Sequence, residues 1–228
     1  MIDVEKHKRT VKSYVVRGGR LTQSQQKALD NLWPRFGLDK KHGIINTEEV
    51  FKNKNLVVFE IGFGMGESLA QMAEDRPDQN FIGVDVHPPG IGTLLRKIEE
   101  KKLDNVRVFQ EDAKLVLDEC ISNESLDSVQ IFFPDPWHKK RHHKRRLIQT
   151  EFIQNLLPKI KQGGVIHLAT DWENYAEQMM EVLSDINELE NKSGAGNFAT
   201  EELRPVTKFQ RRGERLGHGV WDLVFKKC

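Results

Sequence analysis

Cysteine is nearly missing from this chain. Cys120 and Cys228 are the only two, and no Cys-x-x-Cys occurs. Two such residues make no disulfide framework and fit a reducing compartment. Long apolar runs are missing as well: none reaches the length needed to cross a bilayer. The first twenty residues, "MIDVEKHKRTVKSYVVRGGR", contain charges but no apolar h-region, so a secretory signal is not expected there. A strong charge of one sign is also absent, since the formal net charge is +1. Any surface for a polyanion must therefore be local rather than global. No repeat is present, and no low-complexity segment beyond one basic run. These absences describe a soluble, cytoplasmic chain.

The 228 residues suffice for one α/β domain with an arm. Residues 1–20 carry Lys6, Lys8, Arg9, Lys12, Arg17 and Arg20 against Asp3 and Glu5, interrupted by "RGGR". They read as a flexible basic arm, either touching RNA or simply fraying. Residues 21–228 read as a single domain, with 21–55 as a helical lead-in. From Leu56 the pattern is regular. "LVVFEIG", "FIGVDV", "VRVF", "SVQIFF" and "VIHLAT" are continuous apolar runs of the kind buried on both faces of a parallel sheet. Helical stripes separate them: Leu69, Met72 and Ala73; then Ile91, Leu94, Leu95 and Ile98; then Ala113, Val116, Leu117, Cys120 and Ile121. A helix around 147–157 stops at Pro158. Another carries Trp172, Tyr175, Ala176, Met179, Leu183 and Ile186, and "VWDLVF" is a late strand. Alternating strands and helices predict an α/β parallel sheet with right-handed crossovers.

In such sheets ligands bind beyond the carboxyl ends of the strands. Glu60, Asp85, Asp112, Asp135 and Asp171 stand at or just past the ends of the five strands. Asp112 and Asp171 each precede a helical stripe and suit helix capping equally well. Five acids on one rim favour a ligand rich in hydrogen-bond donors or positive charge. Gly62, Gly64 and Gly66 space a loop as Gly-x-Gly-x-Gly rather than the Gly-x-Gly-x-x-Gly of dinucleotide sites. Glycine lets a ligand lie against the backbone, and Glu60 beside the loop would repel a pyrophosphate. An amino acid joined to a nucleoside fits: ammonium to Glu60, ribose hydroxyls to Asp85, base to Asp112. S-adenosyl-L-methionine has all these parts.

Beyond the fourth strand lies "FFPDPWHKKRHHKRR", Phe132 to Arg146. Pro134 and Pro136 stiffen the backbone around Asp135. Trp137 is open to two readings, a stacking platform for a base or a core plug. Lys139, Lys140, Arg141, Lys144, Arg145 and Arg146 have no acid among them, as a phosphate-binding segment requires. His138, His142 and His143 imitate a metal cluster, but their cationic neighbours argue against it, and no metal is expected.

These segments, with "EIGFGMGESL", "GGVIHLATDWENYAEQM" and "RPVTKFQRRGERLGHGVWDL", resemble the bacterial tRNA (guanine-N7-)-methyltransferase family from about Leu56 to the C-terminus. The resemblance implies a Rossmann-like class I methyltransferase fold. Its sheet would be mostly parallel and seven-stranded, with an antiparallel late strand and helices on both faces. It implies methyl transfer from S-adenosyl-L-methionine to N7 of guanosine 46 in the tRNA variable loop, leaving S-adenosyl-L-homocysteine. By position, Glu60, Asp85, Asp112 and Asp135 fall to the donor, and Asp135 also to catalysis. Lys139, Asp171, Thr207, Lys208, Phe209 and Gln210 fall to the substrate side. Arg141, His142, His143, Lys144, Arg145 and Arg146 fall to RNA contact. The family segment usually reads T-K-F-E, and Gln210 replaces its charge with an amide. Partners would be tRNA, with no membrane. A monomer is expected and a dimer left open. The alternatives are a methyltransferase for another RNA base, a non-catalytic RNA-binding module, and a nicotinamide dehydrogenase, which the glycine spacing disfavours.

Overall fold

The structure is a computed structural model that describes residues 12–15, 19–200, 204–205 and 219–228. The lead-in is ordered by local chemistry. Thr22 caps α1 (Gln23–Phe36) through a capping box with Gln25. The Gln25 amide also donates to Pro89 O at 3.2 Å and Thr93 Oγ1 at 3.0 Å, which ties α1 to the central sheet's helical layer. A two-residue strand β1 (Gly37–Leu38) and a short α2 (Thr47–Phe51) follow. The regular part then alternates: β2 (Leu56–Ile61), α3 (Glu67–Asp75), β3 (Gln79–Asp85), α4 (Pro88–Glu100), β4 (Val106–Gln110), α5 (Ala113–Cys120), β5 (Leu126–Phe132), α6 (Thr150–Leu156), β6 (Ile160–Thr170), α7 (Glu173–Ser184), β7 (Leu189–Asn191) and β8 (Trp221–Lys227).

The sheet has eight strands in the order β1-β4-β3-β2-β5-β6-β8-β7. The pairs from β1 to β6 are parallel, and β8 alone runs against its neighbours β6 and β7. The eighth strand, beyond the seven expected, is β1 at the edge. Two residues carry no alternation from which a strand is legible.

Strand alternation sorts the core into two layers. Val57, Phe59 and Ile61 point to the side of α5, α6 and α7, with Val129, Ile131, Ile166 and Leu168. Val58 points to the other side, packing with Phe36 of α1, Leu69 of α3 and Leu94 of α4. Glu60 shares the face of Val58. Among the described residues no helix is long and apolar enough to cross a membrane.

Candidate functional site

The crossing from β2 to β5 opens a crevice at the carboxyl ends of the strands. A cavity of about 260 Å³ lies there, lined among others by Gly62, Asp85, Asp112, Asp135, Ser13 and Tyr14. Four of the residues singled out in the sequence thus share one wall. A larger cavity of about 840 Å³ opens beside Gln130 and His167, but it is lined by none of the five strand-end acids.

The glycine loop forms the floor. Gly62, Gly64 and Gly66 have φ of 76°, 57° and 69°, the left-handed region that side chains disfavour. Around Gly62 and Gly64 a Cβ would meet nothing within 4 Å, so the backbone there is bare to a ligand. The loop is fastened by Gly62 N–H to Val84 O at 2.8 Å and by Gly64 N–H to Asp85 Oδ2 at 2.9 Å. Asp85 also accepts from His87 N–H at 2.9 Å. Burial raises the Asp85 carboxyl, and its backbone donors only partly offset this. A carboxylate has about four lone-pair sites, so Asp85 keeps acceptor capacity toward the cavity.

Glu60 does not line the cavity. It lies beside it, buried to 3 % exposure, on the other face of β2 from Ile61. Burial pushes its carboxyl up to about 8; the negative charge of Asp85 adds to this and Arg204 opposes it. Its Oε2 has no hydrogen-bond partner. A buried, unpartnered carboxylate oxygen costs free energy, and an ammonium group placed against it would relieve that cost. The bare glycine loop and the orphan oxygen together fit an amino-acid-bearing nucleoside.

Asp112 accepts from Lys114 N–H at 3.0 Å as the N-cap of α5; burial and the nearby Asp112 carboxylate raise the Tyr14 phenol. Asp171 is not a cap, since Trp172 holds that position at α7 without a side-chain bond. Neither Asp171 nor Lys139 lines the cavity. Thr207, Lys208, Phe209 and Gln210 lie outside the described residues.

Asp135 is exposed on the cavity wall. The bend that presents it begins at Phe133, at φ 51°, whose N–H donates to Ala169 O at 2.7 Å. After Pro136, Trp137 turns again at φ 47° and stays half-buried rather than filling the core. Its ring is covered by the Arg145 guanidinium at 3.6 Å, and its Nε1–H donates to Ser13 O at 3.0 Å.

The basic run winds into a 3₁₀ turn, Lys140–Arg145. Lys139, Lys140, Arg141 and Lys144 are exposed, and His142 and His143 are half-buried. Partial burial and the cations Arg141, Arg145, Lys139 and Lys144 lower the His142 imidazole. Arg145 donates to Lys12 O at 3.0 Å and Tyr14 O at 3.4 Å. Arg146 corrects the sequence reading. It is 2 % exposed, donates to Pro136 O at 2.8 Å, Gln178 Oε1 at 2.6 Å and Asn174 Oδ1 at 2.9 Å, and lies over the Tyr175 ring. It braces the Pro134–Trp137 turn against α7 and has no face left for phosphate. Residues 12–15, which carried no site signal in the sequence, complete the cavity wall through Ser13 and Tyr14.

Residues 54–223 match the family model described as "Putative methyltransferase". A tRNA (guanine-N(7)-)-methyltransferase of Marinobacter nauticus is 54% identical over 96% of this chain and 92% of its own length. One of Idiomarina loihiensis is 56% identical over 97% and 91%. The chain belongs to the tRNA (guanine-N(7)-)-methyltransferase family. Solved structures agree on the fold. An aminoglycoside-resistance methyltransferase superposes with a TM-score of 0.54, 18% identity, and coverage of 84% of this chain and 94% of its own. A precorrin-6y C5,15-methyltransferase of Geobacter metallireducens gives 0.52, 16%, 85% and 100%. The family's class I methyltransferase architecture is the one built above from strand order.

Proposed function

We propose that this chain transfers a methyl group from S-adenosyl-L-methionine to N7 of guanosine 46 in the variable loop of tRNA, in the cytoplasm. The observation that carries the reading is the rim itself. A bare glycine loop, an orphan buried carboxylate at Glu60, Asp85 with spare acceptor capacity, and Asp135 on the same wall adjoin a row of exposed cations.

The donor, when bound, supplies an electrophilic methyl carbon on positively charged sulfur. The chain's residues do the rest. Glu60 pairs with the ammonium, Asp85 accepts from ribose hydroxyls, and Asp112 accepts from the base edge. Guanine N7 already has an in-plane lone pair, so no residue needs to remove a proton before attack. The protein's work is alignment and electrostatics. As N7 gains the methyl group the ring becomes cationic. Asp135, facing the purine, stabilises that charge and favours guanine, whose N1–H and amine can donate to a carboxylate.

Lys140, Arg141 and Lys144 hold the phosphates that bring the base to Asp135 and offset the few kcal/mol needed to expose it. Replacing all three by Ala should lower the slope of log affinity against log salt by about 2 to 3, at 0.7–0.9 per lost phosphate contact. Titrations of tRNA from low to high salt measure this. An unchanged slope would remove these residues from the interface.

The activity itself is tested with unmodified tRNA and labelled donor, followed by nucleoside mapping. Label in N7-methylguanosine at position 46 is the expected result. Label on another atom or nucleotide, or none, overturns the reading.

A further inference from the structure

Three polar side chains stand in one row across the sheet. Glu60 on β2 registers with Gln130 on β5, and Gln130 with His167 on β6. All three are buried. The row continues into a second network. His167 Nε2 lies 2.7 Å from Asp222 Oδ1. The same carboxylate accepts from Arg204 through Nε at 2.9 Å and a terminal nitrogen at 3.0 Å, a two-pronged pairing. Burial works to raise the Asp222 carboxyl, but the bonds from His167 and Arg204 outweigh it and hold it below its ordinary range.

The Arg204 side chain is 3 % exposed. Its guanidinium lies 5.2 Å from the centroid of the Phe132 ring and 5.0 Å from that of Phe133. Phe132 also meets the His167 ring edge-on at 4.9 Å. The two phenylalanines are the last residues before Pro134 and Asp135, and Phe133 is the residue held at positive φ. A non-glycine residue in that region needs surroundings that over-determine it. The guanidinium close to its ring and the Phe133 N–H bond to Ala169 supply them.

We propose that Arg204, clamped by Asp222, which His167 holds in turn, is a positioning residue for methyl transfer: it locks the Phe132–Phe133 bend that presents Asp135 to the substrate. It has a second effect in the same place. Arg204 is the one cation, among the described residues, that acts on Glu60. Asp85 on β3 opposes it, Gln130 on β5 is neutral, and Gly83 on β3 has no side chain. One guanidinium therefore serves both the donor end and the acceptor end of the reaction. The inference rests on the methyltransferase reading given above.

Lysine in this position keeps the charge but cannot fork onto Asp222. Methionine keeps bulk and loses both. Arg204→Lys is expected to lower turnover tenfold to about a hundredfold, the scale of a displaced catalytic group, with the pH limb of S-adenosylhomocysteine binding unmoved. Arg204→Met is expected to lower turnover at least as much and to move that limb to higher pH, because Glu60 loses its opposing cation. Thermal melts of each variant give the folded fraction. An effect on turnover no larger than the loss of folded protein, or a limb in Arg204→Met that stays in place, overturns the proposal. Wild-type protein serves as the internal control: failure to form N7-methylguanosine there removes the activity, whereas an active wild type with indifferent Arg204 variants removes the clamp alone.

Discussion

Glu60→Gln should make the protein more stable at pH 9 and at the same time weaken donor binding about tenfold or more. The Glu60 carboxyl is held up to about 8 by burial. The folded state thus keeps a proton that the unfolded chain releases near 4.5. What Glu60 contributes to stability is complete below about 4.5 and is lost as pH rises through about 8. Over that window the wild type loses roughly 1.4 kcal/mol per pH unit from this residue. Glutamine has no charge to bury, so the melting temperatures of variant and wild type should diverge from pH 5 upward and run parallel above pH 8.

Donor binding responds oppositely. The donor's ammonium pairs with ionised Glu60, so binding at pH 7 drives a proton off the carboxyl. Calorimetry in two buffers of different ionisation heat should detect that proton with the wild type and miss it with the variant. Equal affinity and equal proton release in both would remove Glu60 from the donor site.

Asp135→Asn should lower turnover at saturating donor and tRNA by about a hundredfold or more, on the scale of a lost electrostatic stabiliser in an active site. Melting temperature should hardly move, because the side chain is exposed. The amide keeps the shape of the carboxylate and removes only its charge. Single-turnover measurement isolates the chemical step from binding and release. Near-normal turnover would show that shape alone suffices and that guanine's developing charge is not met by Asp135.

The strands and the glycine loop were legible in the sequence for a physical reason. A parallel strand buried on both faces is apolar along nearly its whole length, so "LVVFEIG" and "VIHLAT" announce themselves without neighbours. The acids were legible because a strand's end is legible. Their exact orientation was not. Strand alternation turns Glu60 away from the wall that Ile61 reaches, which distinguishes it from Asp85 and Asp135 although all read alike as strand-end carboxylates.

The basic run shows the opposite limit. Arg145 and Arg146 are adjacent and identical, yet one stacks on Trp137 and the other is sealed between Pro136 and α7. Their fates depend on a 3₁₀ turn and on Asn174 and Gln178, about thirty residues away. No local pattern encodes such partners. The same holds for His167 and Asp222, which meet only because β8 pairs antiparallel with β6.

The docking of residues 12–15 has an evolutionary side. Trp137 and Arg145 grip this stretch through the carbonyl oxygens of Lys12, Ser13 and Tyr14. Every amino acid brings the same carbonyl, so the grip itself does not depend on which side chains stand at these positions. Ser13 and Tyr14 are the exceptions, because their side chains line the cavity. Selection on this stretch should therefore act on its length, and on side chains only where they reach the cavity, at Ser13 and Tyr14.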